Sequence, residues 1–435
     1  MPVVGAVHAI DMCIVYHFAR WQSKRPRAAL PSRHVADVAK PRLSELEGWN
    51  GGRLEGWCSG SDATFYAVRS MRAVMTVLEP QALRDLFVLG LWIAASYACG
   101  YVRLRYKFFR RERINCVQYC MRPWLCMYYV TLRCTARCAM CDVWRGADAP
   151  GYREQTLAEV QENLRALPRL GVRLLDFTGG EPLLFAHILD ALRCARQMGM
   201  RTTLTTNCTH YPDLAEQLCG LVQHLQFSCE AADAATHDAV RGPGSHARVL
   251  ESMACARRLG QRFNLVATIT DVTLAQLDTL LAFAAAHRTV LALNPCFASA
   301  HQAGLSAAGA RVLMRAARHP WAVADHAALA LIADGGNQCV RPVCRAGRAT
   351  MTITPDNQVA APCLHHEQQR VPIAGDLAHA WRATQAVAAR AGTYEVCRGC
   401  TLYCYMRASL YRRYPLRTLR SLTKYCMTRL RRGSA

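Results

Sequence analysis

Between residues 125 and 295 the hydrophobic pattern switches repeatedly between a two-residue and a 3.6-residue period. This alternation constrains the fold more than any other feature of the 435-residue chain. LCMYYVT (125–131), VRLLDFT (172–178), RTTLTT (201–206), HLQFSC (224–229), FNLVATIT (263–270) and TVLALNP (289–295) read as strands. Helical patterns separate them at 183–199, 212–222, 245–259 and 274–287, and another helix follows the sixth strand. Thr156 and Glu159 form a capping-box pair that opens a further helix running to about Leu167. Such alternation demands a parallel sheet with right-handed crossovers. Six units predict an α/β fold, a partial (β/α)6 barrel over 120–335, with its chemistry at the C-terminal ends of the strands.

The chain carries 22 Cys, more than packing needs. With 52% hydrophobic and 19% charged residues it has ample core material, which excludes a wholly disordered, collagen-like or coiled-coil chain. Directly after the first strand, TLRCTARCAMCDVW places Cys134, Cys138 and Cys141 in a C-x3-C-x2-C loop. Three thiolates on one loop can hold a cubane iron–sulfur cluster and leave one iron open, by the logic that distinguishes catalytic from structural metal sites. A zinc site lacking its fourth ligand, or buried apolar Cys, are the alternatives for the triplet alone. A reducing compartment makes disulfides an unfavoured reading. The second strand ends in DFTGGEP (176–182). Gly179 and Gly180 permit close approach to the backbone, Glu181 offers a carboxylate to an ammonium group, and Pro182 fixes the chain before the next helix.

The triplet after strand one together with GGEP after strand two resembles the radical S-adenosylmethionine (SAM) superfamily, over roughly 120–295. The resemblance implies a [4Fe–4S] cluster on Cys134, Cys138 and Cys141, with SAM chelating the open iron and Gly179, Gly180, Glu181 and Pro182 contacting its methionine moiety. It also implies reductive cleavage of SAM to a 5′-deoxyadenosyl radical, and a reductant such as flavodoxin or ferredoxin. TTN (205–207), SCE (228–230) and HDAVRGPGSHARVL (237–250) fit the same pattern, which carries Ser228 and Arg241 over as cofactor contacts. Glu230 where relatives often have Asp, and Met140 in place of an aromatic, are departures.

A second cysteine set, Cys339, Cys344, Cys363, Cys397, Cys400 and Cys404, lies in a region of different texture at 336–404, which reads as a small second module. Within it ATMTITPDNQVAAP (349–362) reads as a hairpin turning at Asp356–Asn357. The arrangement resembles the SPASM and twitch extensions of radical enzymes. That implies an auxiliary [4Fe–4S] cluster, best placed on Cys344, Cys363, Cys397 and Cys400, with Cys339 and Cys404 as alternates; a structural zinc site is the competing reading. Cys194, Cys219 and Cys255 read as helical core residues, Cys116, Cys120 and Cys126 as membrane-proximal packing with a metal-linked role as the alternative, and His365 and His366 as surface or core histidines with a ligand role as the alternative.

The formal charge of +22 is concentrated outside the barrel. RLRYKFFRRER (103–113) follows an uncharged stretch, LFVLGLWIAASYACGYV (86–102). Seventeen such residues span about 26 Å as a helix, the lower limit for a bilayer. Basic runs beside an apolar helix predict a membrane-surface partner rather than nucleic acid, whose basic contacts belong on the folded body. The segment 76–113 is therefore expected to anchor the chain at the cytoplasmic face of a membrane, or to leave it cytoplasmic if it does not insert. Residues 1–75 read as a poorly structured extension, and Met71 or Met75 as an alternative start. Residues 405–435 read as a basic amphipathic tail broken at Pro415, or else as a solvated end. Three functions remain: a radical enzyme acting on a lipid or other membrane-held molecule, a peptide-modifying radical maturase, and a non-catalytic iron–sulfur electron carrier.

Overall fold

The first strand, β1 (Leu125–Thr131), is buried along its whole length. It sends Cys126, Tyr128 and Val130 into one apolar cluster and Leu125, Met127 and Tyr129 into another. A strand apolar on both faces belongs in the middle of a covered parallel sheet, and a computed structural model places it there. The structure describes residues 122–298 and 303–433. The extension 1–75, the apolar stretch 86–102 with Cys116 and Cys120, and the basic run 103–113 lie outside the described residues. Among those described, no helix is long and apolar enough to cross a membrane.

The elements follow the expected order. After β1 come α1 (Leu157–Leu170), β2 (Leu174–Gly179), α2 (Ile188–Gln197), β3 (Arg201–Thr206), α3 (Tyr211–Leu218) and β4 (His224–Ser228). Then come α4 (Ala234–Arg241), α5 (Ser245–Arg258), β5 (Phe263–Ile269), α6 (Leu277–Ala286), β6 (Leu291–Pro295), α7 (Ala307–Ala316), β7 (Ala322–Val323) and α8 (His326–Ala333). The Thr156–Glu159 capping box opens α1, with both reciprocal bonds made. Between β4 and β5 the chain forms two helices, not one. Gly242 and Gly244, both at positive φ, turn the chain between them, and the Asp238 carboxylate accepts from the Gly244 and His246 N–H groups and the Ser245 hydroxyl. The helix α3 stops at Leu218, four residues short of expectation. Cys219 is consequently exposed at its end, a correction to its reading as a core residue, whereas Cys194 and Cys255 are buried.

Parallel pairing runs unbroken from β1 to β7. The stretch 336–404 enters the fold through the same sheet. It supplies β8 (Thr350–Ile353), β9 (Gln358–Ala361), β10 (Gln369–Pro372), α9 (Leu377–Ala383) and α10 (Gln385–Ala389). The β8 strand pairs in parallel with β1, and β9 and β10 continue antiparallel, giving one ten-stranded sheet in the order β10-β9-β8-β1-β2-β3-β4-β5-β6-β7. The hairpin turns where the sequence placed it, with Asn357 at φ 62, a left-handed position that Asn tolerates. Among the described residues the outer strands of this sheet, β10 and β7, do not pair with each other, so the barrel is partial.

Helices α1 to α3, α5 to α7 and α9 cover the convex face through one large apolar cluster. The concave face is covered differently, by α8 and by the residues read as a basic tail. Those residues form α11 (Tyr403–Arg413) and α12 (Pro415–Gly433). Tyr403, Tyr405, Met406 and Leu410 pack with Met127, Tyr129 and Leu174, and Tyr425 packs on Val266, Ala292 and Val323. The break at Pro415 is observed, but the apolar side of both helices is buried in the barrel. Replacing Tyr425 with Ala should therefore lower unfolding stability by about 3–5 kcal/mol, as for a large core side chain. Urea denaturation checks this; a midpoint unchanged from the parent would mean that α12 does not dock.

Candidate functional site

The double glycine at the end of β2 sets the position of the cysteine loop. A Cβ on Gly179, which sits at φ +141, would lie 1.8 Å from the Thr131 carbonyl oxygen, and one on Gly180 would lie 2.2 Å from that of Arg133. The two strand ends therefore touch backbone to backbone. Gly180 N–H donates to Thr131 O at 2.8 Å and Glu181 N–H to Arg133 O at 2.8 Å. A register shift at the end of β1 accompanies this contact. The loop is held on its other sides as well. Arg133 pairs with Glu154 at 2.7 Å and donates to Leu184 O, while Ala139 N–H donates to Val240 O. Trp144 Nε1 donates to Cys141 O, and Arg137 stacks over the Trp144 ring.

Cys134, Cys138 and Cys141 open together onto one small pocket, walled by Ala136, Trp144, Gly180, Glu181, Asn207, Ser228 and Arg241. It lies at the C-terminal ends of β1 to β4. Every residue assigned to the cofactor site from sequence lines this cavity except Gly179 and Pro182, whose roles lie in the backbone turn. Glu181 is not a freely offered carboxylate. It is buried and accepts from Thr206 Oγ1 at 2.8 Å, Asn207 N–H at 2.7 Å and Leu183 N–H at 3.1 Å, tying the end of β2 to the end of β3. Burial pushes its pKa up to about 7, and these three donors and Arg241 hold it from rising further. Arg241 donates twice to Glu230 Oε1, at 3.0 and 2.6 Å, and both residues are buried. The other Glu230 oxygen accepts from Thr268 N–H. The longer Glu in place of Asp thus aims the guanidinium at the cavity. Ser228 Oγ has no hydrogen-bond partner among the described residues.

This donor set fits a [4Fe–4S] cluster held by three thiolates. The three sulfurs share a pocket with a cation beside it, and among the described residues no fourth Cys or His lines it. Burial pushes the Cys134 thiol up to about 11, countered in part by the Ala136 N–H, so taking up iron must displace its proton. Among the described residues no three His, Cys, Asp or Glu converge on a single metal ion. Asn207 and Trp144 complete the site and were not singled out as site residues from sequence. Asn207 donates to Thr135 Oγ1 at 3.0 Å and to Cys134 Sγ at 3.7 Å. Its position at the end of the third strand was the signal available.

A second small pocket is lined by Cys344, Cys363, Cys397 and Cys400 with His366, Tyr405 and Met406. Cys339 and Cys404 do not line it; the Cys339 thiol donates to Tyr394 O. Burial pushes Cys344 up to about 12 and Cys400 up to about 11. One residue that sequence reasoning missed organises the four. Asn337 donates from Nδ2 to Gly392 O and Cys397 O, and accepts at Oδ1 from Val343 and Cys344 N–H. His365 is half-buried between Phe297 and Tyr405, and Cys126 packs in the convex core. The Tyr405 hydroxyl lies 3.0 Å from that of Tyr129 on the concave face.

The model of the radical SAM superfamily matches residues 128–284. This stretch is similar to radical SAM domains. Its curated relatives include the GTP 3′,8-cyclase of Marinobacter nauticus, 35% identical over 136 residues, which is 31% of this chain and 41% of that protein. The AdoMet-dependent heme synthase of Methanosarcina barkeri is 30% identical over 160 residues, 36% of this chain and 45% of that one. The pre-heme d1 synthase of Dinoroseobacter shibae is 31% identical over 159 residues, covering 36% and 39%. The chain thus spans less than half the length of the curated relatives it matches. Streptococcus suis SuiB bound to S-adenosylmethionine shares the fold at a TM-score of 0.51 and 15% identity, over 83% of this chain and 79% of that one. The matched stretch contains the cysteine loop and the strands β2 to β5.

The glycine contact makes a sharp prediction. Gly180→Ala forces its Cβ into the Arg133 carbonyl and displaces the loop, so anaerobically reconstituted variant should retain less than half of the iron attributable to the triplet. Iron analysis against the parent checks this; full loading would show that the loop does not depend on the contact.

Proposed function

We propose that the chain cleaves SAM reductively and uses the resulting radical on a polar substrate held against the concave face of the barrel. The observation that carries this reading is the single cavity that gathers Cys134, Cys138 and Cys141 with Glu181, Asn207, Ser228 and Arg241. The chemistry supplied by a bound [4Fe–4S] cluster and SAM is one-electron cleavage of the sulfonium to methionine and a 5′-deoxyadenosyl radical, which takes a hydrogen atom from substrate. The protein's part is to hold geometry and exclude water. The triplet provides three thiolates, the Gly179–Gly180 backbone contact holds the loop that bears them against β2, and Glu181 locks the ends of β2 and β3 beside it. Ser228 Oγ is free to bond SAM, and Arg241, fixed by Glu230, offsets negative charge on the thiolate-bound cluster. Cys344, Cys363, Cys397 and Cys400 hold an auxiliary [4Fe–4S] cluster in the manner of a SPASM or twitch extension. A low-potential donor such as flavodoxin or ferredoxin supplies the electron.

The concave face bears Asp176, Thr203, Gln226 and Ser228, all buried, which favours a polar substrate over a lipid. Attachment to a membrane rests on residues 76–113 alone. A peptide substrate is the second reading, supported by the shared fold of SuiB bound to its precursor peptide SuiA, with a TM-score of 0.52.

Anaerobically reconstituted protein given dithionite and SAM should release 5′-deoxyadenosine. Replacing Cys134, Cys138 and Cys141 together with Ala should abolish release and reduce iron from about eight to about four atoms per chain. Parent protein that releases none would instead be an electron carrier.

A further inference from the structure

The concave face carries buried polar atoms that the fold leaves unused. Asp176 Oδ1 on β2, Thr203 Oγ1 on β3, Gln226 Nε2 on β4, and Nη1 and Nη2 of Arg407 on α11 have no hydrogen-bond partner among the described residues. The sheet register sets Asp176 opposite Thr203. Buried polar groups are almost always paired, so a cluster of orphans on one face calls for a partner that the chain itself does not provide.

Arg407 is the most demanding of them. Its side chain is 1% exposed, and its Nε donates to Asp325 Oδ2 at 3.0 Å. The other Asp325 oxygen caps α8 by accepting from the Ala327 and Ala328 N–H groups at 2.9 and 3.1 Å. That carboxylate is thus fixed by a helix end and holds the guanidinium by one edge. The Nη pair, the part of the fork suited to a two-oxygen acceptor, is left unbonded. The Tyr403 ring lies 5.7 Å from the guanidinium. Arg407 is close enough to Asp176 for its charge to act on that carboxyl, yet the two form no ion pair. Further along the same face, Gln226 and then Ser228 lead toward the cysteine cavity, which Ser228 lines.

We propose that Arg407 binds a carboxylate of the substrate through Nη1 and Nη2, with Thr203 and Gln226 as further polar contacts between that carboxylate and the cysteine end of the barrel. The inference rests on the proposed radical chemistry only for the word substrate. Charge balance selects a carboxylate over a phosphate. Beside the Arg407–Asp325 pair a monoanion adds one uncompensated charge and a dianion adds two, while burial pushes Asp176 toward its neutral form. Arg241 is already committed to Glu230.

The test uses the full chain, anaerobically reconstituted, with phenylacetate as probe and ligand-detected NMR or calorimetry as readout. Phenylacetate should bind saturably, while phenylacetamide, its neutral isostere, and phenyl phosphate should each bind about tenfold more weakly or worse. Arg407→Gln should weaken phenylacetate by at least about tenfold, and Arg407→Lys, which keeps the charge and loses the fork, by an intermediate factor. Circular dichroism melting establishes that each variant folds. If Arg407→Gln does not fold, the acid–amide comparison in the parent and the Lys variant decide. No saturable phenylacetate binding, equal binding of acid and amide, or tighter binding of phenyl phosphate overturns the proposal. Release of 5′-deoxyadenosine by the parent is measured alongside: carboxylate binding without release defeats the radical reading alone, and release without carboxylate binding defeats this inference alone.

Discussion

Everything at the active end of the barrel depends on the contact between the last backbone of β2 and the first backbone of the cysteine loop. Two successive residues must lack a Cβ there, since side-chain atoms would occupy the positions of the Thr131 and Arg133 carbonyl oxygens. Once the strands meet, the Gly180 and Glu181 N–H groups close the join, and the Glu181 carboxylate extends it to β3 through Thr206 and Asn207. Asn207 in turn reaches the loop at Thr135 and Cys134. Three strand ends and one loop are thereby fixed as a unit. Three sulfurs can share one cluster because the loop bearing them is welded to the sheet.

The sheet divides its chemistry by face. Convex positions such as Phe177, Leu204, Phe227 and Leu265 pack under the crossover helices. Concave positions such as Asp176, Thr203, Gln226 and Ser228 are polar and equally buried. An apolar interior would have been the cheaper way to fill a barrel. The concave face is completed by α8, α11 and α12, so that side of the sheet is built jointly by the strands and the C-terminal helices. Arg407 and Tyr405 come from this covering layer, and Tyr405 also borders the second cysteine cavity.

Much of this was legible from sequence, for physical reasons. β1, at Leu125–Thr131, and β3, at Arg201–Thr206, have the bounds read from the chain, because their buried runs end at turn residues. The triplet and GGEP were legible because their spacing is local. What escaped was non-local. Nothing in ATMTITPDNQVAAP reveals that its first strand pairs in parallel with β1, more than 200 residues earlier. The tail's Arg-rich composition hid the Tyr, Met and Leu side that docks into the barrel, since charge dominates a helix of that composition. Asn337 looks like a loop residue until its four bonds to three separate segments are seen. Glu230, read as a departure, proves to be what orients Arg241.

The central claim is that three thiolates on the welded loop hold a cluster whose remaining iron is open to SAM. Mössbauer and EPR spectroscopy of oxygen-free, iron-57-reconstituted protein, recorded before and after adding SAM, test it most directly. The account predicts one iron site distinct from the other three in its cluster, with its isomer shift and the reduced g-values changing when SAM is added. Spectra of a uniform cluster that SAM leaves unchanged would contradict it.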